Sequence, residues 1–557
     1  MTTRPRTKTP MPPVEPEASA ELALLVDVGS AWTKASLVGR TRGRWHLVTH
    51  VAQPSAWGGA ALDAALVERL APTVDRRLEG RLAATVGSAA RIECHTPARS
   101  ARLAISAVSR ELSGAAARRA AEAAGWEVAV LAAADDGRPL AERLAALQSV
   151  EVDAWLVTGG FDDGRSMQAL EAAALVAAAR PPGAPVIWAG SSRLADEVGR
   201  LIEPEALVRL PNPRPDAHHE RGDPLRAHLE ERLLTTVEPG ADAHLAPVAL
   251  RRAVAQLARV TGLRVAAVDV GARYASRVEA TTDGEAVSRV HAAGGLTALA
   301  PLPAAAARIG RALGHGIDEL AVADALQNLR ARPGTLPHSP DELAVTQAAA
   351  RTQLAVLAEE SPLGAVDLVV GAGRAIAGAP QPGAATGMLL DGLRPVGVTQ
   401  LAIDAAALLG PLGALPDSEI ADGLTLLGDD LLVPLGTAVV CRGGEPGRVA
   451  MRVTIRRAGW PDVGPVDVRT GQLQLVPLGR GQRAELVIDP TDGVSLGAPR
   501  RAGRVEAEVT GGVSGIVLDA RGVPLTLPRR ADDRRSVVAG WRESLLREPL
   551  PGAEQIR

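Results

Sequence analysis

One pattern occurs twice in this chain and limits what it can fold into: an apolar, strand-length run that ends in Asp-Val-Gly. Residues 22–34, LALLVDVGSAWTK, deliver Asp27-Val28-Gly29-Ser30 into a turn that closes on Thr33-Lys34, and residues 263–271, LRVAAVDVG, deliver Asp269-Val270-Gly271. Each run reads as a buried strand feeding a loop suited to gripping an anion. Gly29 lets the backbone approach a phosphate, small neighbours leave amide N–H groups pointing inward, and Asp27 can hold a hydrated divalent ion. Only two of the 61 basic residues are lysines, Lys8 and Lys34. A chain so biased towards arginine that still places lysine here points to a need for a compact ammonium at the end of the loop.

The segments after the two runs are alike as well. Return strands are expected at 35–38 and 44–51 after the first loop and at 276–280 and 286–290 after the second. Strand, phosphate loop, return hairpin is how each half of the actin-like ATPase fold begins, and two copies imply two lobes around one cleft. Between them, residues 111–210 alternate strictly. Ser113 is expected to cap an alanine-rich helix that ends near Gly125. Strands at 127–132, 154–157 and 186–189 alternate with helices at 140–147, 166–180 and 192–202, which predicts a parallel sheet covered on both faces. The loop Gly159-Gly160-Phe161-Asp162-Asp163-Gly164 then falls at a strand's carboxyl end, where such sheets place a ligand or partner site, although paired acids in a turn are commonly turn formers. Helices are expected at 224–234, 246–260, 303–332 and 340–360. A strand at 366–370 runs into Gly371-Ala372-Gly373-Arg374, where two glycines would let a flat base or ribose lie against the backbone. From about 433 the pattern turns to strands, read as a separate β domain with a closing helix at 534–546. The expected division is a disordered tail (1–20), a first lobe (21–262) with an α/β module at about 92–210, a second lobe (263–440) and a β-rich C-terminal domain (441–557).

Composition excludes several classes. A net charge of −3 without a basic block argues against nucleic acid as the main partner, and no apolar run reaches the roughly 18–20 residues of a membrane span. Cys94 and Cys441 form neither a metal spacing nor a disulfide framework, which fits a cytoplasmic setting. Cys94 and His95 would point to opposite faces of a strand, so they are not a nucleophile pair. His291 and His338 have no metal-ligand partner at helical spacing. Trp32, inside the phosphate loop, could gate the cleft or pack against a lobe, and packing is the expectation.

With these segments in place, the chain resembles the glutamate mutase L family. The resemblance rests on DVGSAWTK from Asp27, ELSGAAARRAAEAAGWEV from Glu111, LVTGGFDDGR from Leu156, AAVDVG from Ala266, VVGAGRAI from Val369, MLLDGLRPVGVTQLAID from Met388, VPLGTAVV from Val433 and GGVSGIVLDARGVPL from Gly511. It implies an α/β, two-lobed actin-like ATPase fold and an ATP-binding, chaperone-like role assisting an adenosylcobalamin-dependent mutase in assembly or reactivation. The implied ligands are ATP and Mg2+, and the implied partners are mutase subunits, with a homodimer left open. The candidate phosphate residues are Asp27, Gly29, Ser30, Thr33, Lys34, Asp269, Gly271 and Ser276. Gly371, Gly373 and Arg374 are the adenosine candidates, Gly159, Gly160, Asp162 and Asp163 the partner or ligand loop, and Asp27 and Asp269 the Mg2+ residues through water. The second loop departs from the family form Asp-Val-Gly-Gly-Ala-Thr-Thr-Asp: Ala272-Arg273-Tyr274-Ala275-Ser276 lack its threonines and acid, and Ser276 would restore a hydroxyl only if the loop shifted register. Nucleotide binding therefore stands with weak hydrolysis at most. The alternatives are a pseudo-ATPase scaffold, a small-molecule kinase of the same fold, and a dehydrogenase suggested by Gly371-Ala372-Gly373 with Asp391 about twenty residues on.

Overall fold

The structure is a computed structural model that describes residues 21–546 except 42, 74–75, 98, 165, 238–243, 292–293, 300–302, 314–315, 361, 498–503 and 526. The expected tail at 1–20 lies outside the described residues. The first sheet is built from β1 (Glu21–Val28), β2 (Trp32–Thr41), β3 (Arg44–Pro54) and β4 (Ala90–His95). Between β4 and the last strand of that sheet lies a parallel five-stranded sheet: β5 (Arg102–Ala107), β6 (Glu127–Ala133), β7 (Ala154–Gly159), β8 (Val186–Gly190) and β9 (Leu207–Arg209), in the order β6-β5-β7-β8-β9. The chain then returns as β10 (His244–Leu245) alongside β4, completing β10-β4-β1-β2-β3.

The second lobe repeats this order. β11 (Val265–Val270), β12 (Ala275–Ala280), β13 (Ala286–His291), β14 (Leu368–Ala372) and β15 (Gly397–Ile403) run β13-β12-β11-β14-β15, again an antiparallel three-stranded hairpin followed by parallel strands. Two such sheets in one chain make the actin-like ATPase fold. Apolar residues alternate to both faces of β1: Ala23 and Leu25 enter a central core, while Leu24 and Val26 enter an outer one under the helix Gly58–Leu70. The central core is shared by both lobes. Leu250, Ala253 and Val254 of the helix Ala246–Thr261 pack there with Val265 and Ala267 of β11 and with Leu408 and Leu412. Among the described residues no helix is long and apolar enough to cross a membrane.

Four local expectations change. The helix expected at 303–332 is two, Pro303–Arg311 and Glu319–Ala331. Thr33 and Lys34 belong to β2, paired with Val28 and Asp27, so the turn is only Gly29-Ser30-Ala31. Ser109, not Ser113, caps the start of the alanine-rich helix by accepting from Leu112 N; Ser113 Oγ instead donates back to Ser109 O at 3.2 Å. At 192–202 there is only a 3-10 turn and the short helix Ala195–Val198.

The C-terminal strands do not stand apart. β16 (Val433–Val440) extends the second-lobe sheet beside β15, and the chain continues through β17 (Arg442–Gly443), β18 (Val449–Arg456), β19 (Val463–Arg469), β20 (Leu473–Val476), β21 (Arg483–Pro490), β22 (Val494–Ser495), β23 (Val505–Thr510) and β24 (Gly515–Asp519). β19-β18-β21-β23 form a sheet of their own, but β24 and β20 add to β16 in the second-lobe sheet, making it eight-stranded. The continuous apolar run 516–518 is what permits this, because a strand inside a sheet buried on both faces needs no polar alternation.

Candidate functional site

The two Asp-Val-Gly hairpins fold by the same rule. Gly29 N donates to Trp32 O at 3.1 Å and Gly271 N donates to Tyr274 O at 3.0 Å, closing two turns of equal length. A Cβ on Gly29 would fall on the Trp32 carbonyl, so the tight turn requires glycine. Equal register makes Trp32 the counterpart of Tyr274 and Lys34 the counterpart of Ser276: Asp27 lies opposite Lys34 as Asp269 lies opposite Ser276. No register shift occurs in the second hairpin.

Both turns face one cleft of about 690 Å³ between the lobes, lined by Asp27, Gly29, Ser30 and Lys34 on one side and Asp269 and Gly271 on the other. Gly373, with φ of 81°, and Arg374 complete the edge, and residues 325–347 supply an apolar wall that includes Leu329, Pro333, Leu336 and Leu343. Three of the expected residues do not line it. Thr33 is buried and braces the first hairpin: its Oγ1 donates to Ser55 Oγ at 3.0 Å, and Ser55 Oγ donates to Gly29 O at 2.6 Å. Ser276 is fully buried in β12. Its Oγ has no hydrogen-bond partner among the described residues. Gly371 sits inside β14, where a Cβ would meet Ile376 and Leu389 of the core and not a ligand.

Lys34 Nζ donates to Asp27 Oδ2 at 2.6 Å. Burial works against the ammonium, but the charges of Asp27 and then Asp269 and the hydrogen bond outweigh it, so the Lys34 pKa stands above its ordinary value and the cation persists. Asp269 is pushed up by burial and accepts from Tyr274 Oη at 3.0 Å. The bulky pair of the second loop thus divides: Tyr274 folds inward onto Asp269, and Arg273 is exposed. Across the cleft Arg374 stacks on Trp32, its guanidinium carbon 4.5 Å from the ring, a clasp between the lobes worth about 0.5–2 kcal/mol. Trp32 therefore does more than pack against its own lobe.

Behind Lys34 a small chamber holds Cys94 together with His50 and Asp404, two residues that local sequence reasoning passed over. The Cys94 thiol points at Asp27 Oδ1, 3.8 Å away, and burial first, then Asp27, push its pKa well up, so it is a neutral thiol. His50 Nδ1 lies 2.9 Å from Ser36 Oγ, which donates to Ala406 O; burial and the charges of Lys34 and Arg374 lower it to about 4, leaving a neutral imidazole. Asp404 follows β15 and accepts from Leu408 N and Leu409 N, yet burial still raises it to about 6. A carboxylate at the carboxyl end of a parallel strand was the available signal for Asp404.

Elsewhere, Asp162 is engaged within its own loop system, accepting from Asn212 Nδ2 at 3.3 Å and Ser192 N at 3.4 Å, while Phe161 and Asp163 are exposed. Gly159 and Gly160 have φ of 118° and 74°, which the turn requires. Asp391 is partly buried on the helix Pro382–Leu393 and paired with Arg521 and Arg351, away from Gly373, which removes the dinucleotide fingerprint. Among the described residues no group of three or more His, Cys, Asp or Glu could hold a metal ion.

No curated protein matches the chain. Similar solved structures include component A of the (R)-2-hydroxyglutaryl-CoA dehydratase of Acidaminococcus fermentans, at 10% identity over 72% of this chain and 99% of that one with a TM-score of 0.25. The activator of the 2-hydroxyisocaproyl-CoA dehydratase from Clostridium difficile with bound ADPNP matches at 10% identity over 73% and 98%, TM-score 0.25. Xylulose kinase from Bifidobacterium adolescentis matches at 12% identity over 77% and 97%, TM-score 0.28. A family model described as MutL protein matches residues 23–431, spanning both hairpins, the inserted module and the cleft. The chain belongs to the MutL (glutamate mutase L) family.

Proposed function

We propose that this protein is an ATP-binding, chaperone-like accessory protein that assists an adenosylcobalamin-dependent mutase of the glutamate mutase type in assembly or reactivation, in the cytoplasm. The mutase half rests on the family. The nucleotide half rests on one observation: two hairpins of the same build, each ending in Asp-Val-Gly, face one cleft with a partly buried, charged lysine beside their carboxylates. In this proposal the phosphates lie along the amides of Gly29, Ser30 and Gly271, and Lys34 turns from Asp27 to meet them. Ribose and base lie against Gly373 and the apolar wall of Leu329, Pro333 and Leu336, with Arg374 released from Trp32 to stack on the base. The oxygens of Asp27 and Asp269 fit a Mg2+ ion that arrives with the nucleotide and is held through water, and that ion would neutralise phosphate charge. Phe161 and Asp163, exposed beyond Gly159 and Gly160, are the proposed partner-facing tip of the inserted module.

A pseudo-ATPase scaffold is the second reading, and Tyr274 favours it. Its hydroxyl is committed to Asp269, and the second hairpin presents no serine or threonine hydroxyl to the cleft. Calorimetric titration of Mg-ATP into the protein tests both. Micromolar binding that Lys34→Ala or Asp27→Ala weakens tenfold or more, about 1.4 kcal/mol, is expected. No heat and no thermal stabilisation at millimolar nucleotide, with all three proteins folded, overturns the ATP site and leaves the scaffold.

A further inference from the structure

A second cavity lies on the far side of the helix Pro340–Glu360, under the C-terminal helix Ala531–Leu546. It measures about 40 Å³, room for about three waters or one small oxyanion. Its polar lining comes from Gln347, Arg351, Asp391, Arg521, Trp541 and Arg542.

The charges here do not balance. Asp391 receives Arg521 at 2.7 Å and Arg351 at 3.2 Å; Asp519 receives Arg521 at 2.7 Å and lies 3.5 Å from Arg394. Three guanidiniums thus share two carboxylates, Asp519 fully buried and Asp391 partly so. Arg542 adds a fourth, half-buried and with no carboxylate partner among the described residues. Burial first, and then the charge of Arg351, push Arg542 below its ordinary value. Arg351 Nε is buried without a hydrogen-bond partner, and Gln347, only 8% exposed, lines both this cavity and the large cleft. Trp541 covers Arg521 at 5.1 Å and fixes the helix over the site. Excess positive charge in a partly enclosed chamber edged by guanidiniums is relieved by a bound anion.

We propose that this chamber is an anion site, in which Arg351 and Arg542 clamp a small oxyanion, inorganic phosphate or a carboxylate, between the second lobe and the C-terminal helix. The site shares only Gln347 of its lining with the nucleotide cleft. Arg351 lies on a second-lobe helix and Arg542 on the C-terminal helix, so occupancy fastens one to the other.

Thermal unfolding of the full chain in chloride, phosphate and acetate at matched ionic strength tests this. Phosphate or acetate is expected to raise Tm saturably by about 2 °C or more over chloride, and which of the two does so identifies the oxyanion. The rise is expected to vanish in Arg542→Ala, to persist in part in Arg542→Lys, and to remain in Lys34→Ala, which disables the cleft. No saturable rise, an equal rise in Arg542→Ala, or loss of the rise in Lys34→Ala overturns the proposal. Failure of ATP to bind would leave this result unaffected.

Discussion

Lys34 keeps its charge in a partly buried place because Asp27 and Asp269 face it, and burial, with the field of that same cation second, holds His50 neutral. The folded-state pKa of His50, about 4, lies below its ordinary 6.5, so the unfolded chain takes up the proton first. Its stabilising contribution is full above pH 6.5 and is lost as pH falls towards 4. Asp404, raised to about 6, acts in the opposite sense, favouring the folded state at low pH and losing that contribution as pH rises through 6. The wild-type profile mixes the two, but a variant separates them. In urea titrations at pH 7 and pH 4.5, His50→Asn is expected to lose less stability than wild type on acidification, by about 1–2 kcal/mol. Equal losses would mean that His50 is not held neutral.

At the scale of elements, the two hairpins are one device used twice with different fittings. Their registers agree, so each substitution lands at a defined place: the aromatic after the turn reaches Arg374 in one copy and Asp269 in the other, and the residue opposite the aspartate is lysine in one and serine in the other. What holds the copies together is close packing of helices. The short helix Leu409–Gly413 lies on Ala246–Thr261 so tightly that a Cβ on Gly413 would overlap the Ala249 carbonyl, and Arg252 Nη1 donates to Gly413 O at 2.6 Å. Gly413→Ala is expected to destabilise the protein by about 2–4 kcal/mol, read by chemical denaturation, because neither backbone can retreat without opening the shared core. A change below about 0.5 kcal/mol would show that the contact is looser than the structure has it.

For the whole molecule, the C-terminal strands complete a lobe. β24 lies parallel to β16, and β20 closes the edge beyond it. A chain ending at residue 440 would expose β16 as a long, flat, apolar edge, a template for aggregation. Such a truncation is expected to form soluble aggregates or a loosely packed state by size-exclusion chromatography and near-ultraviolet circular dichroism. A stable, monomeric product with native-like signals would mean that residues 441–546 form a detachable unit after all.

Local pattern alone carried a good part of this protein. The two apolar runs ending in Asp-Val-Gly, the return strands after each, the alternating strands and helices of the inserted module and the placement of Asp27, Gly29, Lys34 and Asp269 at one cleft all derive from periodicity and turn chemistry, which act over a few residues. The tertiary structure alone decided where Tyr274 and Ser276 point, that Arg374 reaches Trp32, that Cys94, His50 and Asp404 gather behind Lys34, and that Asp391 serves a charge cluster with Arg521. It also placed β24 beside β16. Each of these joins residues far apart along the chain, so the packing of the finished core selects the partner, and one sequence window contains only half of the contact.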